Sequence, residues 1–313
     1  MSSELSEPTM ERKQALIVGC GYVGRRLARE LNHDHTLYGL VRSTTHLKTL
    51  RALRVEPIVL NLDTVTRRDI APVWYRNSTI FYLAPPPSEG ESETRVHRFL
   101  NILAECPSTL VYLSTTGVYG DLRGALADES LPVNPQTDRA RRRVSAEHIT
   151  RIWCNENGVR RVVLRVPAIY GPGRLPLTRL RSGEPAILEA EAPIINRIHV
   201  DDLVQACLAA ANQSEARGVY NVSDGNSETL TAFLNRVAAL AKLPAPTQIS
   251  LDDAQITLGE EFLSYLEESR RISNTRMRNE LGVQLRYGDV DEGIRASLAE
   301  EVAYAARRSR SES

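Results

Sequence analysis

Short apolar runs alternate along this chain with longer stretches whose apolar positions recur every three or four residues. Ala15-Leu16-Ile17-Val18 reads as a buried strand, and Val23 to Leu31 behind it as an amphipathic helix. The same pattern predicts strands at Thr36 to Val41, Pro57 to Leu60, Thr79 to Leu83, Leu110 to Leu113 and Val162 to Val166. Helices are predicted near Thr94 to Glu105, over Arg141 to Asn157, over His199 to Asn212 and over Leu230 to Leu243. Gly158 stands where a left-handed residue closes a helix. Strands alternating with helices predict an α/β fold, a doubly wound parallel sheet covered on both faces. After Gly171-Pro172-Gly173 the period becomes irregular, which predicts a small C-terminal cap.

Between the first strand and first helix stands Gly19-Cys20-Gly21-Tyr22-Val23-Gly24, a Gly-x-Gly-x-x-Gly turn. The first glycine permits a tight turn, and the second lets backbone approach a pyrophosphate. The third lets the helix pack on the sheet, and the helix N-terminus offers free N–H groups to the anion. This position after the first strand makes the sheet a Rossmann domain that binds a dinucleotide. Domain bounds follow: a disordered tail over 1–12, the Rossmann domain over 13–172 with a return at 196–222, and a substrate cap over 173–300. The charged, serine-rich stretch 305–313 is expected to be disordered.

The end of the second strand bears on the choice of cofactor. Val41-Arg42-Ser43 carries no acid between Leu37 and Arg51, whereas an NAD site usually has one to bond the ribose hydroxyls. Arg42 suits a 2′-phosphate through a charge-assisted fork, and Ser43 adds a hydroxyl, so NADP is favoured over NAD. The bland alternative is a solvated surface arginine. Asp63 follows the third strand, placed either to bond an adenine amino group or to cap its loop. Backbone after the fourth strand, Leu83-Ala84-Pro85 and on through Pro87, is expected to border the cofactor.

Composition narrows the partners. The 313 residues carry 39 Lys plus Arg against 39 Asp plus Glu, so no net charge favours nucleic acid or an anionic membrane. The start of the chain lacks the pattern of a signal peptide, and no apolar run approaches the roughly 18 residues of a membrane span. The four cysteines, Cys20, Cys106, Cys154 and Cys207, lie far apart, as expected of buried free thiols in a reducing cytoplasm. No His, Cys and Asp spacing suits a metal, and no Gly-x-Ser-x-Gly elbow announces a hydrolase. A small-molecule substrate is the expected partner.

Several motifs fall into one register. Beside the glycine turn stand Ser114-Thr115-Thr116-Gly117-Val118-Tyr119-Gly120, Arg165-Val166-Pro167-Ala168-Ile169-Tyr170-Gly171-Pro172-Gly173-Arg174, Ile198-His199-Val200-Asp201-Asp202-Leu203, Tyr220-Asn221-Val222 and Glu280-Leu281-Gly282. Together they resemble the extended short-chain dehydrogenase/reductase family, also called NAD-dependent epimerase/dehydratases, across about Ala15 to Ser297. The resemblance implies a nicotinamide cofactor touching Pro167, a substrate-binding hydroxyl at Thr115, and a dimer formed through the helices at Arg95 to Glu105 and Arg141 to Asn157.

The family's Tyr-x-x-x-Lys-x-x-x-Glu breaks here. Counting back from Glu147 puts Arg139 at the tyrosine and Arg143 at the lysine. No Tyr lies between Tyr119 and Tyr170, and the only lysines are Lys13, Lys48 and Lys242. In this the chain is most similar to the atypical YeeZ-type subgroup. A guanidinium stays protonated and donates only, so it holds anions but cannot act as a general base near neutral pH. Arg139, Arg143 and Arg174 are therefore candidates for holding an anionic substrate, and Arg143 for bonding the cofactor ribose; a solvated helix start is the alternative for the arginine run. Thr115 also has a bland alternative, capping local backbone. Thr116-Gly117 stand where the family's sugar dehydratases carry Asp-Glu, which argues against water elimination. Tyr119 is expected to pack, and His199 to order the loop between Rossmann domain and cap. The reading is an oxidoreductase or epimerase on a small sugar-like, phosphorylated or aldehyde substrate, with a non-catalytic cofactor sensor as the alternative.

Overall fold

The computed structural model describes residues 12–257 and 268–311. Its centre is a sheet of seven parallel strands: β1 (Lys13–Val18), β2 (His35–Val41), β3 (Val55–Val59), β4 (Thr79–Tyr82), β5 (Thr109–Thr115), β6 (Arg160–Val166) and β7 (Gly218–Asn221). They lie in the order β7-β6-β5-β4-β1-β2-β3, so the winding reverses between β1 and β4. Open α/β sheets bind ligands at such a reversal, outside the carboxyl ends of the strands.

Successive strand side chains enter opposite faces, as the period of two requires. Ala15 and Ile17 join one apolar cluster with Phe81, Val111, Leu164 and Leu203; Leu16 and Val18 join another with Ile80, Tyr82, Tyr112 and Val163. The first face is covered by α1 (Tyr22–Leu31) and the helix Val200–Asn212, tied together by Arg26 and Asp201 at 2.9 Å. On the second lie α3 (Thr94–Asn101) and α4 (Asp138–Glu156), while α2 (Leu47–Ala52), between β2 and β3, packs its Leu50 on the first face. The Thr137 hydroxyl accepts the Ala140 N–H at 3.3 Å, which starts α4 three residues before the predicted Arg141. Gly158 follows that helix at φ +66.

The cap has its own apolar cluster around Tyr170, Leu177, Phe233, Val237 and Ile294. A short strand pair ties it to the sheet domain, Arg271–Ile272 beside Leu126–Ala127, while Arg197–His199 runs beside Ala168–Tyr170 within the sheet domain. The last helix, Val290–Ser311, corrects the expected disordered tail over 305–313 as far as Ser311. Alanine and arginine there are good helix formers, and low apolar content alone does not end a helix already begun. The expected N-terminal tail falls outside the described residues except for Arg12.

Candidate functional site: a groove beside the glycine turn

Each glycine of the turn has a separate steric reason. Gly19 has φ +86, and a Cβ there would stand 2.6 Å from the Ala84 amide nitrogen, so the turn presses directly on the backbone after β4. A Cβ at Gly24 would meet Ile17 Cγ2 at 3.0 Å, because α1 lies close on the sheet. Around Gly21 the nearest atom is the Gly19 carbonyl oxygen, 3.9 Å away, and its surroundings are otherwise open. That vacancy at a helix N-terminus is a cradle a side chain would fill, and it fits a pyrophosphate. Val23 is buried, whereas the Tyr22 hydroxyl donates to the Pro172 carbonyl at 2.9 Å.

A cavity of about 240 Å³ continues from the turn along the ends of β2, β3 and β4, lined by Gly19, Leu40, Arg42, Leu62, Ala84 and Arg95 among others. Pro85 also lines it, and the Leu83 N–H donates to Val18 at 2.8 Å, which holds that loop against β1. Arg42 is exposed and forms no hydrogen bond or ion pair among the described residues. Ser43 lies outside the lining, its hydroxyl 3.2 Å from that of Thr45. The Asp63 carboxylate receives Arg95 Nε at 2.6 Å and Nη2 at 2.7 Å. That fork, its largest influence, holds the Asp63 carboxyl below the usual aspartate range.

The remaining candidates lie beyond β5, outside the lining of that cavity. Thr115 ends the strand, and its hydroxyl accepts the Gly117 N–H at 3.2 Å, so it caps the next turn. Arg143 turns down onto β5, donating from Nη1 to the Leu113 carbonyl at 2.9 Å and the Tyr112 hydroxyl at 3.2 Å. Arg139, in the first turn of α4, is half-buried and engaged by neighbours. Pro167 follows β6, half-buried. Arg174 stands apart from these, exposed, its guanidinium 4.4 Å above the Tyr22 ring.

Glu147 has a structural task. It accepts from Ser114 Oγ at 2.6 Å and from Arg165 at 3.1 and 2.7 Å, and Arg165 in turn lies 4.8 Å over the Tyr119 ring. Tyr119 donates to Asn221 at 2.8 Å; burial, ahead of the opposing Arg165 charge, raises its pKa, so it packs as expected. The His199 ring accepts the Asp201 N–H at 3.2 Å, and its other nitrogen faces Ser297 at 3.3 Å. Burial lowers its pKa to about 4, leaving a neutral linker between sheet domain and cap. No metal-ligand cluster occurs among the described residues. None of their helices is long and apolar enough to cross a membrane.

Sequence reasoning missed Arg95, which belongs to the groove wall. A single arginine on a helix carries no signal, because its partners come from the β3 and β4 loops.

Comparison with known proteins agrees with this geometry. Residues 15–223 match the NAD dependent epimerase/dehydratase family, and the chain belongs to that family. A conserved protein of unknown function from Silicibacter pomeroyi superposes with a TM-score of 0.76 at 30% identity, covering 92% of this chain and 99% of that one. UDP-glucuronic acid 4-epimerase from Bacillus cereus, solved with NAD, gives 0.72 at 16% identity over 93% and 99%, a likeness of fold. A 3-diazoavenalumate denitrifying reductase from Streptomyces is 33% identical over 127 residues, 39% of this chain and 41% of the relative. That match therefore spans about two fifths of the reductase.

Proposed function

We propose that this protein is an NAD(P)-dependent oxidoreductase or epimerase with altered proton handling, acting in the cytoplasm on a small sugar-like, phosphorylated or aldehyde substrate. One observation carries the reading: the glycine cradle is sterically intact while the two dyad positions hold guanidinium groups. NADP(H) is favoured over NAD(H), supported by the unpaired Arg42 in the groove wall and the lack of an acid after β2. The partly matching Streptomyces reductase supports redox chemistry.

A bound nicotinamide coenzyme supplies or accepts the hydride. This chain's residues do the rest. The glycine turn and the first N–H groups of α1 hold the pyrophosphate, Arg42 and Ser43 the 2′-phosphate, and Leu83 to Pro85 with Pro167 border the groove. Thr115 orients the substrate oxygen. Arg139 and Arg174 hold an anionic group and stabilise negative charge without moving a proton. Arg143 uses Nη1 to brace the strand that carries Thr115, leaving its other nitrogens for the ribose hydroxyls. Losing a positioned acid/base costs on the order of 10²- to 10⁴-fold in rate, roughly 3 to 5.5 kcal/mol of barrier, so turnover is slow or uses a proton from solvent or substrate. The same reading includes a homodimer through α3 and α4, supported by the exposed Ile152 on α4 and checked by light scattering.

Fluorescence titration with NADPH and NADH tests the groove, with NADPH expected to bind more tightly. Incubation with a panel of sugar phosphates and short aldehydes, followed at the reduced nicotinamide band, tests turnover. The second reading, a cofactor-sensing module without catalysis, is favoured by the absence of a deprotonatable side chain at 139 and 143. Tight binding without turnover selects it. Arg139→Tyr with Arg143→Lys divides the cases further: activity lost from an active wild type makes the arginines functional, whereas activity gained marks a degenerate dyad.

A further inference from the structure

We propose that Arg95 stacks on the coenzyme's base, and that Asp63 is thereby taken out of adenine recognition; this rests on the nucleotide reading of the groove. The guanidinium is fixed by in-plane bonds. Nε and Nη2 grip the two carboxylate oxygens of Asp63 at 2.6 and 2.7 Å, and Nη1 donates to the Pro85 and Pro86 carbonyls at 3.2 and 3.0 Å. Four in-plane donor directions of five are used, and what remains for a ligand is one N–H and the flat face of the cation. Arg95 lines the 240 Å³ cavity together with Leu40, Arg42, Leu62 and Ala84, whereas Asp63 is not part of that lining. The Arg95 side chain is 15% exposed and that of Asp63 41%, so the guanidinium is the sheltered half of the strap joining the β3 and β4 loops.

These facts separate two ways of reading a purine. A carboxylate free to accept from the exocyclic amine distinguishes adenine from hypoxanthine. A guanidinium plane held by protein acceptors binds either base through its π-face, because stacking is indifferent to the substituent. Here Asp63, the first acid after β3, is paired bidentately with Arg95 and so aimed at α3. The wall offers a delocalised cation between aliphatic residues, a surface suited to an aromatic ring.

The test uses binding alone on the full-length protein, with NADPH, its hypoxanthine analogue and reduced nicotinamide mononucleotide, which lacks the adenosine half. Wild type is expected to bind the first two within about threefold of each other, since no charged acceptor reads the amine. Arg95→Leu is expected to weaken NADPH about tenfold, the loss of one shielded cation–π contact, and to leave the mononucleotide unchanged. With Asp63 released, that variant should also begin to prefer adenine to hypoxanthine. A matching far-ultraviolet dichroism spectrum and the unchanged mononucleotide affinity separate stacking from general damage to the groove. Hypoxanthine bound more than about tenfold more weakly by wild type, or NADPH affinity unmoved in Arg95→Leu, overturns the proposal. If neither NADPH nor NADH binds wild type, the nucleotide reading itself has failed, and the stacking role with it.

Discussion

The glycine turn and the start of α4 are built from different materials. At the glycine turn the site is backbone: Gly19 leans on Ala84, Gly24 on Ile17, and Gly21 leaves room at the start of α1. At the α4 end the site is side chain, and much of it is already spent on protein partners, Arg143 on β5 and Glu147 on Ser114 and Arg165. A backbone cradle stays competent as long as its few glycines stay. A proton relay depends on particular side chains, and replacing them leaves the fold standing on the neighbouring bonds. The comparison teaches that one region depends on glycine sterics and the other on particular side chains and their partners.

Perturbing each end sharpens that contrast. The largest effect is expected at Glu147: replacing it with alanine strands the buried Arg165, whose side chain is 7% exposed. Removing one partner of such a pair costs about 3–5 kcal/mol, read as a lower urea midpoint. Next comes the glycine turn, where Gly19→Ala and Gly21→Ala should part company. The first meets Ala84 backbone at 2.6 Å and a positive φ, so it should lose roughly 1–3 kcal/mol of stability along with coenzyme affinity. Gly21→Ala meets nothing nearer than 3.9 Å and should melt like wild type while losing coenzyme affinity in fluorescence titration. Equal melting losses in both would remove the steric distinction between them.

Smaller still is Arg42→Ala, expected to weaken NADPH by about tenfold and leave NADH unchanged, a difference that shrinks with added salt. The smallest effect concerns pH and the cap. Burial raises the Asp224 pKa to about 7 and lowers that of His199 to about 4. Asp224 binds its proton more readily folded than unfolded, so acidification from pH 7 towards 4 stabilises through it. His199 is the reverse: the unfolded chain takes up its proton first, and acidification from about pH 6.5 destabilises. The two oppose one another in wild type. Asp224→Asn should therefore melt progressively lower than wild type as pH falls from 7 to 5, and parallel pH profiles of the two proteins would show that Asp224 does not titrate in this window.

The core strands and the two-faced sheet were legible because a parallel strand buried on both sides writes a continuous apolar run, as Leu110 to Leu113 does. The glycine turn was legible because steric necessity leaves few residues able to replace Gly19. Element ends were less so: α3 stops at Asn101 rather than Glu105, and the last helix runs on to Ser311. Propensity near a helix end is weak, and neighbouring contacts decide where the helix stops. The alternatives left open for Asp63 could not be decided from its neighbours in the chain. Its partner Arg95 lies 32 residues away, and the side-chain fork forms only when α3 packs beside the β3 loop.

By itself, the amino-acid order determined that this chain builds a parallel sheet entered through a glycine turn, and that arginines stand at 139 and 143. Those properties are local, set by period, by glycine sterics and by residue identity. Tertiary structure decided which charges are taken and by what: Asp63 gripped by Arg95, Arg143 folded onto β5, Glu147 held by Arg165, and Arg42 at the groove without a hydrogen bond among the described residues. The physical reason is that an ion's role depends on its desolvation and its partners, and both are fixed only when distant segments meet.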